Sequence, residues 1–91
     1  MAYRVELTFR ATRDLEYLYA QINAVESSLA RRWFDGLERA LCSLEHAPHR
    51  CPAAPESKST GRRLRHLLYG RHRRRYRAIF EINEPRRAIY L

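Results

Sequence analysis

Glycine, cysteine and lysine are scarce in this sequence, and long apolar runs are absent. The 91 residues include three scattered glycines and two cysteines, and Lys58 is the only lysine. The scarcity of glycine excludes a Gly-rich phosphate-binding loop, and two cysteines are too few for the disulfide framework of a small secreted domain. No apolar run is long enough for a membrane helix, and no signal-peptide pattern leads the chain. We therefore expect a soluble cytoplasmic protein with reduced thiols and no membrane partner.

The net positive charge is confined to the last third of the chain. Up to Gly61, eight Lys and Arg residues balance eight Asp and Glu residues. From Arg62 to Leu91, ten arginines stand against Glu81 and Glu84, so this segment carries the whole net charge of +8. A localised positive field attracts nucleic acid, an anionic membrane or an acidic protein. The preference for arginine suits bidentate binding of phosphate or carboxylate, although a genomic bias towards Arg codons explains it equally well.

Two hydrophobic periods follow one another in the first half. Alternation over Tyr3–Thr8, "YRVELT", predicts a half-buried strand. Apolar residues then recur at helical spacing from Phe9 to about Val25, and again over Leu29–Leu44. One of the two serines before the second stripe is a candidate cap, and Pro48 is expected to end that helix. The short gap between the stripes predicts an antiparallel helical hairpin.

The second half predicts a loop followed by a β-meander. The segment 47–61 holds three of the four prolines and is predicted to be an extended surface loop. Three apparent strands follow at 63–69, 74–83 and 88–91, joined by short turns. The predicted fold class is α+β in the order β-α-α-β-β-β. The helical hairpin would pack on one face of a small, mainly antiparallel sheet in a single domain, residues 1–91.

The other face of this sheet is expected to be open to a ligand or partner. It would carry Arg65, Leu67, Tyr69, Arg77 and Ile79 or, in the opposite register, the residues that alternate with them. Beside it, the stretch "GRHRRRYRAIFEI" joins a basic turn to an apolar strand. The arginines of this turn repel one another unless an anion offsets them; the alternative is a solvated turn tip.

Four potential metal ligands lie within ten residues: Cys42, His46, His49 and Cys51. Their spacing is more compressed than that of the usual zinc sites, and Pro48 interrupts it. The simpler interpretation is a buried thiol at Cys42 and surface side chains at the other positions. We therefore expect neither a metal nor another cofactor.

Metal-free RNA cleavage is a second chemistry that the basic segment could support. It needs a base for the 2′-hydroxyl, cations for the charged phosphorane and an acid for the leaving oxygen. Arg65 and Arg77 are candidates for charge stabilisation, and His66 or His72 for proton transfer. Tyr69 and Tyr76 could stack on bases; for Tyr76 we favour packing in the core or at an interface.

The whole chain, over about Tyr3–Leu91, resembles the ParE/RelE toxin superfamily and lies nearer to the ParE branch. The resemblance is carried by "YRVELTFRATRDLEYLY", "ARRWFDGLERALCSLEHAPHRCPAAPE" and "RRLRHLLYGRHRRRYRAIFEI" in this order. It implies the toxin half of a bacterial type II toxin–antitoxin module. Such a toxin is neutralised by an acidic antitoxin whose disordered C-terminal tail folds over it, in a hetero-oligomer that contacts operator DNA only through the antitoxin.

Members of the superfamily poison DNA gyrase or cut mRNA on the ribosome. The nuclease branch places basic residues on the strand after the loop, an arginine on the next strand, and an arginine plus a tyrosine after the last strand. Arg65 and Arg77 match the first two groups, and no residue matches the third. The first expectation is therefore a ParE-like toxin that binds a protein target, DNA gyrase, with no chemistry of its own. The alternatives are a ribosome-dependent endoribonuclease and a non-toxic nucleic-acid-binding module.

The residues expected to bind the antitoxin or the target belong to the basic last third. They are Arg62, Arg63, Arg65, Tyr69, Arg71, Arg73, Arg74, Arg75 and Arg77. In the nuclease alternative, Arg65 and Arg77 would also be catalytic. Because both arginines are assigned to an open face, their joint replacement by alanine is expected to leave the fold intact.

Overall fold

A computed structural model describes residues 2–71 and 74–91 of the chain. A four-stranded sheet has the order β1-β4-β3-β2, with β1 parallel to β4 and the other neighbours antiparallel. Its strands are β1 (Arg4–Glu6), β2 (Leu64–Tyr69), β3 (Tyr76–Asn83) and β4 (Ala88–Tyr90). The helices are α1 (Phe9–Gln21), α2 (Ser28–Cys42) and the short α3 (Glu56–Thr60). The predicted α+β class and element order are confirmed.

Side-chain caps start both long helices. The Thr8 hydroxyl accepts a hydrogen bond from the Ala11 amide at 3.1 Å, and the Ser27 hydroxyl accepts one from the Ala30 amide at 3.2 Å. These bonds satisfy amide groups that have no partner within the helix.

The hairpin turn begins earlier than the hydrophobic pattern predicts. Asn23 adopts a left-handed conformation, with φ at 59°, so α1 stops before Val25 joins its apolar stripe. Val25 is consequently exposed, and Leu29, in the first turn of α2, is exposed as well. The assignment of these two residues to the buried stripes is wrong.

The segment between α2 and β2 is anchored rather than extended over the surface. It contains 3₁₀ turns at Ser43–Glu45 and Pro48–Arg50, followed by α3. Pro52 and Ala54 run along the outer edge of β2, where the Ala54 amide donates to the Leu64 carbonyl at 2.8 Å and the His66 amide donates to the Pro52 carbonyl at 3.1 Å. These bonds protect the edge of β2 from pairing with another strand.

The core lies between the sheet and the helical side of the molecule. One buried cluster contains Tyr3, Leu44, Cys51, Phe80 and Ile89. A second contains Leu37, Leu41 and Ala78, with Leu15, Leu18, Trp33, Leu67, Tyr69 and Tyr76 partly buried against it. Helix α2 supplies the middle of this layer. Helix α1 packs against it through residues that are only partly buried.

The strand register separates the two arginines that sequence reasoning placed together. Residues directly opposite one another in an antiparallel pair share a face. Arg65 is paired with the buried Phe80, whereas Arg77 is paired with the exposed Leu68. The expectation that Arg65, Leu67 and Tyr69 share the open face with Arg77 and Ile79 is therefore wrong. Alternation orders each strand by itself, but the turn between two strands sets their relative register.

Candidate functional site

The open face is the side of the sheet that turns away from α1 and α2. From β2 and β3 it carries Leu64, His66, Leu68, Arg77, Ile79 and Glu81. The surface is partly apolar and partly charged, as expected for the uncovered face. The charged side chains at the β2–β3 part of this face are organised in two clusters.

Arg77, Glu56 and His66 form the first cluster. One amino group of Arg77 donates to Glu56 Oε1 at 2.8 Å, and the other donates to Glu56 Oε2. The guanidinium also lies 3.2 Å from Nδ1 of His66. This pairing lowers the pKa of Glu56 and raises the pKa of Arg77, because each partner stabilises the charge of the other.

Sequence reasoning missed Glu56 as a member of this cluster. A segment predicted to be extended gave no reason to place its carboxylate against β3. The short helix α3 does so, because the hydroxyl of Ser57 bonds to both the amide and the carbonyl of Leu64. A proline followed by a possible helix start at Pro55–Glu56 was the available signal.

Arg62 and Glu81 form the second cluster on the open face. Nε of Arg62 donates to Glu81 Oε2 at 3.3 Å, and Nη2 donates to Oε1 at 2.9 Å. The paired carboxylate raises the pKa of Arg62. Both predicted partner-binding arginines with side chains near this face, Arg62 and Arg77, are therefore already compensated by carboxylates of the same chain.

Arg65 lies on the helical side and binds backbone carbonyls. Its Nη1 donates to the carbonyl oxygen of Cys51 at 2.6 Å and to that of His49 at 3.3 Å. These bonds attach the segment after α2 to β2. The contacts favour a structural role for Arg65, and the structure does not bring Arg65 and Arg77 together.

The turn between β2 and β3 brings together several arginines with uncompensated charge. Arg71, Arg74 and Arg75 are exposed, as is Arg63 at the start of β2. Within residues 2–71 and 74–91, none of these four forms an ion pair. His72 and Arg73, for which roles were also predicted, lie outside the described residues.

An aromatic groove of about 420 Å³ adjoins this turn. It is lined by Trp33, Tyr69, Gly70, Arg71 and Arg74. The two aromatic rings meet edge to face, with centroids 5.2 Å apart. Gly70 is required for the tight turn, because its φ is 93° and a Cβ there would lie 1.8 Å from the carbonyl oxygen of Arg74.

Tyr76 packs into the second core cluster, beside Leu37, Leu41 and Ala78. Burial raises the pKa of its hydroxyl. The contacts agree with the packing role favoured from the sequence rather than with base stacking.

A third group of ionisable side chains lies at the opposite end of the sheet. The Tyr3 hydroxyl donates to Glu84 Oε1 at 2.7 Å, and Nε2 of His49 lies 2.7 Å from Glu84 Oε2. The Arg87 guanidinium lies 4.3 Å from the centroid of the Tyr3 ring. The hydrogen bond between Tyr3 and Glu84 raises the pKa of Tyr3 and lowers the pKa of Glu84. The hydrogen bond from His49 lowers the pKa of Glu84 further. This group joins the start of β1, a 3₁₀ turn and the β3–β4 turn.

The two cysteines have the reverse of the expected environments, which were a buried thiol at Cys42 and a surface side chain at Cys51. Cys51 is buried and Cys42 is exposed, because the helix ends at Cys42 and the following 3₁₀ turns bring Cys51 back under the sheet. Burial raises the pKa of the Cys51 thiol. Across residues 2–71 and 74–91, no group of three or more His, Cys, Asp or Glu side chains is placed to hold a metal ion.

The remaining findings concern membrane-spanning helices and the family of the chain. None of the helices in the described ranges is both long and apolar enough to cross a membrane. The family model for the ParE toxin of the parDE type II toxin–antitoxin system matches residues 5–91. The chain belongs to the ParE toxin family. Comparisons with curated proteins and with solved structures gave no match.

Membership of the ParE family makes the chain a toxin of a type II toxin–antitoxin system and implies a cognate antitoxin as its partner. The matched range runs from within β1 to the last residue, so it includes the helical hairpin, the open face and the arginine-rich turn.

Proposed function

We propose that this ParE-family toxin inhibits growth by binding a protein target, with DNA gyrase as the first candidate, and that an acidic antitoxin neutralises it. The division of the arginines supports this proposal. Arg77 and Arg62 of the open face are held by Glu56 and Glu81, whereas Arg71, Arg74 and Arg75 of the β2–β3 turn have no carboxylate partner among the described residues. A cluster of uncompensated like charges retains its attraction for an acidic partner. The resemblance to toxins that poison gyrase supports the choice of target.

The surroundings of the turn suit a segment that folds on binding. Carboxylates of an antitoxin tail would offset Arg71, Arg74 and Arg75, which otherwise repel one another. Apolar side chains of the same tail would cover the groove beside Trp33 and Tyr69. A toxin bound in this way would reach operator DNA through the antitoxin.

A charge-matched comparison tests the proposal. The purified toxin and the triple variant Arg71→Gln/Arg74→Gln/Arg75→Gln are compared in a gyrase supercoiling assay and in binding to the antitoxin. The control is Arg31→Gln/Arg32→Gln/Arg39→Gln, which removes the same charge from exposed positions of α2. We expect the turn variant to lose supercoiling inhibition and to bind the antitoxin more weakly, whereas the control keeps both. A wild-type toxin that leaves supercoiling unaffected excludes gyrase; equal behaviour of the two variants excludes the turn as the binding surface.

An endoribonuclease is the second candidate, and the Glu56–His66–Arg77 cluster is the observation that favours it. A carboxylate, an imidazole and a guanidinium on one open surface are the groups that metal-free RNA cleavage uses. Two observations oppose it. Pairing with Arg77 lowers the pKa of Glu56 and weakens it as a base, and Arg65 lies on the other face.

Cleavage of translated mRNA distinguishes the candidates. A nuclease would cut mRNA on the ribosome, and His66→Gln and Glu56→Gln would each abolish cutting without unfolding the protein. We expect no cutting by the wild-type toxin. Cutting that depends on these two side chains would replace the binding function proposed above.

A further inference from the structure

Helix α1 carries two opposite lines of side chains at coiled-coil spacing. The inner line consists of Ala11, Leu15, Leu18 and Ile22; Leu15 and Leu18 pack against the core cluster of α2 and β3. The outer line consists of Phe9, Arg13, Glu16 and Ala20, all of them exposed. Successive members of the outer line are four, three and four residues apart, which is the spacing of alternating d and a positions in a heptad. The outer line is therefore a second packing seam with no partner among the described residues.

The side chains of this outer line are unusual for a solvated helix face. Phe9 is 78% exposed, and Tyr17, which flanks the line, is 69% exposed. The Arg13 guanidinium lies 5.9 Å from the centroid of the Phe9 ring. Neither Arg13 nor Glu16 forms an ion pair with any residue in 2–71 or 74–91. Two large exposed aromatic rings on this helix are an apolar feature that suits an interaction surface.

We propose that the outer line of α1 is the interface of a homodimer in which two α1 helices pack antiparallel. A two-fold axis passing midway between Arg13 and Glu16 sets each a position opposite a d position of the second copy. Phe9 then faces Ala20 of the second copy, so the ring enters the space above a small residue. Arg13 faces Glu16 of the second copy, and the axis repeats both contacts.

The pattern determines the direction of this pairing. In a parallel pair, Arg13 would face Arg13 and Glu16 would face Glu16, and like charges would oppose each other at two successive layers. In the antiparallel pair, both layers become ion pairs. Ion pairs at the seam add little net stability after desolvation, but they select register and orientation.

The charge of the outer line distinguishes a second copy from the antitoxin as its occupant. One arginine and one glutamate leave the line neutral, so it offers no particular attraction to an acidic chain. Arg71, Arg74 and Arg75 instead lie together at the β2–β3 turn and form no ion pair within the described residues. The dimer therefore does not depend on the proposed toxin function and leaves the turn free for the antitoxin.

Charge reversal at the seam provides the test. Mass is measured by light scattering or sedimentation equilibrium for the full chain over a wide range of concentration. The wild type should form dimers as concentration rises. Arg13→Glu sets glutamates opposite one another and Glu16→Arg sets arginines opposite one another, so each single change should weaken dimerisation by about tenfold or more. The double change Arg13→Glu/Glu16→Arg should restore it, because the axis recreates two ion pairs.

The controls separate the seam from general charge effects and from misfolding. Arg32→Glu reverses an exposed charge on α2 and should leave dimerisation unchanged. Circular dichroism establishes that each variant is folded, which is expected since both positions are exposed. The proposal is wrong if the wild type stays monomeric at every concentration, if the single variants dimerise like the wild type, or if the double variant stays monomeric. A monomeric wild type whose antitoxin binding is lost in Arg13→Glu would assign this surface to the antitoxin instead.

Discussion

The hydroxyl of Tyr69 donates a 2.9 Å hydrogen bond to the backbone carbonyl oxygen of Trp33, which connects β2 to α2. The same hydroxyl occupies the space beside Gly36. A Cβ at that position would lie 2.1 Å from the Tyr69 oxygen. The absence of a side chain at Gly36 therefore allows Trp33 and Tyr69 to pack together and line the groove next to the arginine-rich turn.

We predict that Gly36→Ala destabilises the fold by about 1–2 kcal/mol, although alanine is the better helix former by about 1 kcal/mol. The added methyl group displaces Tyr69 and breaks its bond to Trp33. Urea unfolding of the single and double variants measures the effect. In the Tyr69→Phe background, which lacks the hydroxyl, the cost of Gly36→Ala should be smaller. An equal cost in both backgrounds would exclude this contact as its origin.

Arg65 should be a stabilising residue. Its contacts with the carbonyls of Cys51 and His49 remove the open-face assignment from which an intact fold was expected after joint replacement of Arg65 and Arg77 by alanine. We predict that Arg65→Ala lowers the free energy of unfolding by about 1–2 kcal/mol, since hydrogen bonds from a charged donor are lost at carbonyls near the core. Arg63→Ala is the control, because this exposed neighbour forms no ion pair within the described residues. Thermal unfolding of both variants decides the point, and indistinguishable midpoints would remove the structural role.

The Glu84 carboxylate should contribute to stability at neutral pH and lose that contribution in acid. The Tyr3 hydrogen bond and His49 lower its folded-state pKa, whereas an unfolded glutamate has a pKa of about 4.3. The stabilisation is therefore present above the unfolded value and disappears as pH falls through the folded value. We predict that Glu84→Gln lowers stability at pH 7 and makes its decline below about pH 4 shallower. Urea unfolding at a series of pH values measures both effects.

The comparison for Glu84 is Glu26→Gln. Glu26 is exposed and forms no ion pair within the described residues, so its variant should follow the wild-type pH profile. If Glu84→Gln also follows that profile, the group at Tyr3, Glu84 and His49 does not contribute to folding.

The turn arginines should act mainly on the rate of association with an acidic antitoxin. Removing exposed charges at the rim of a site weakens electrostatic steering and leaves buried contacts in place. We predict that Arg71→Gln/Arg74→Gln/Arg75→Gln slows association about tenfold at low salt and flattens its dependence on ionic strength. Surface plasmon resonance at several salt concentrations gives both rate constants. A change confined to dissociation would instead indicate that these arginines make desolvated contacts.

Local pattern was sufficient for the four strands, the two long helices and their order, but not for α3. Alternation predicted β1, helical spacing and a candidate capping serine predicted the hairpin, and short turns predicted the meander of β2, β3 and β4. The hairpin tip was the exception in the first half. A single left-handed residue, Asn23, ended α1 there, and Asn is one of several residues in the stretch that could have done so.

The candidate site was less predictable because its members meet through long-range contacts. Glu56 reaches Arg77 only because α3 packs on β2, and Tyr3 reaches Glu84 only because β1 joins the sheet beside β4. The buried cysteine was misassigned for the same reason, since the path of the chain after Cys42 depends on packing under the sheet.

Composition and hydrophobic periods of two and 3.6 residues were enough to predict the element order and the concentration of positive charge in the last third. The family was inferred from the resemblance of three segments to known toxins. Which arginines have carboxylate partners, and which face each strand residue takes, became clear only from the folded arrangement. Register is a relation between strands that alternation within one strand leaves open, and the pairing of β2 with β3 places Arg65 on the helical side and Arg77 on the open face.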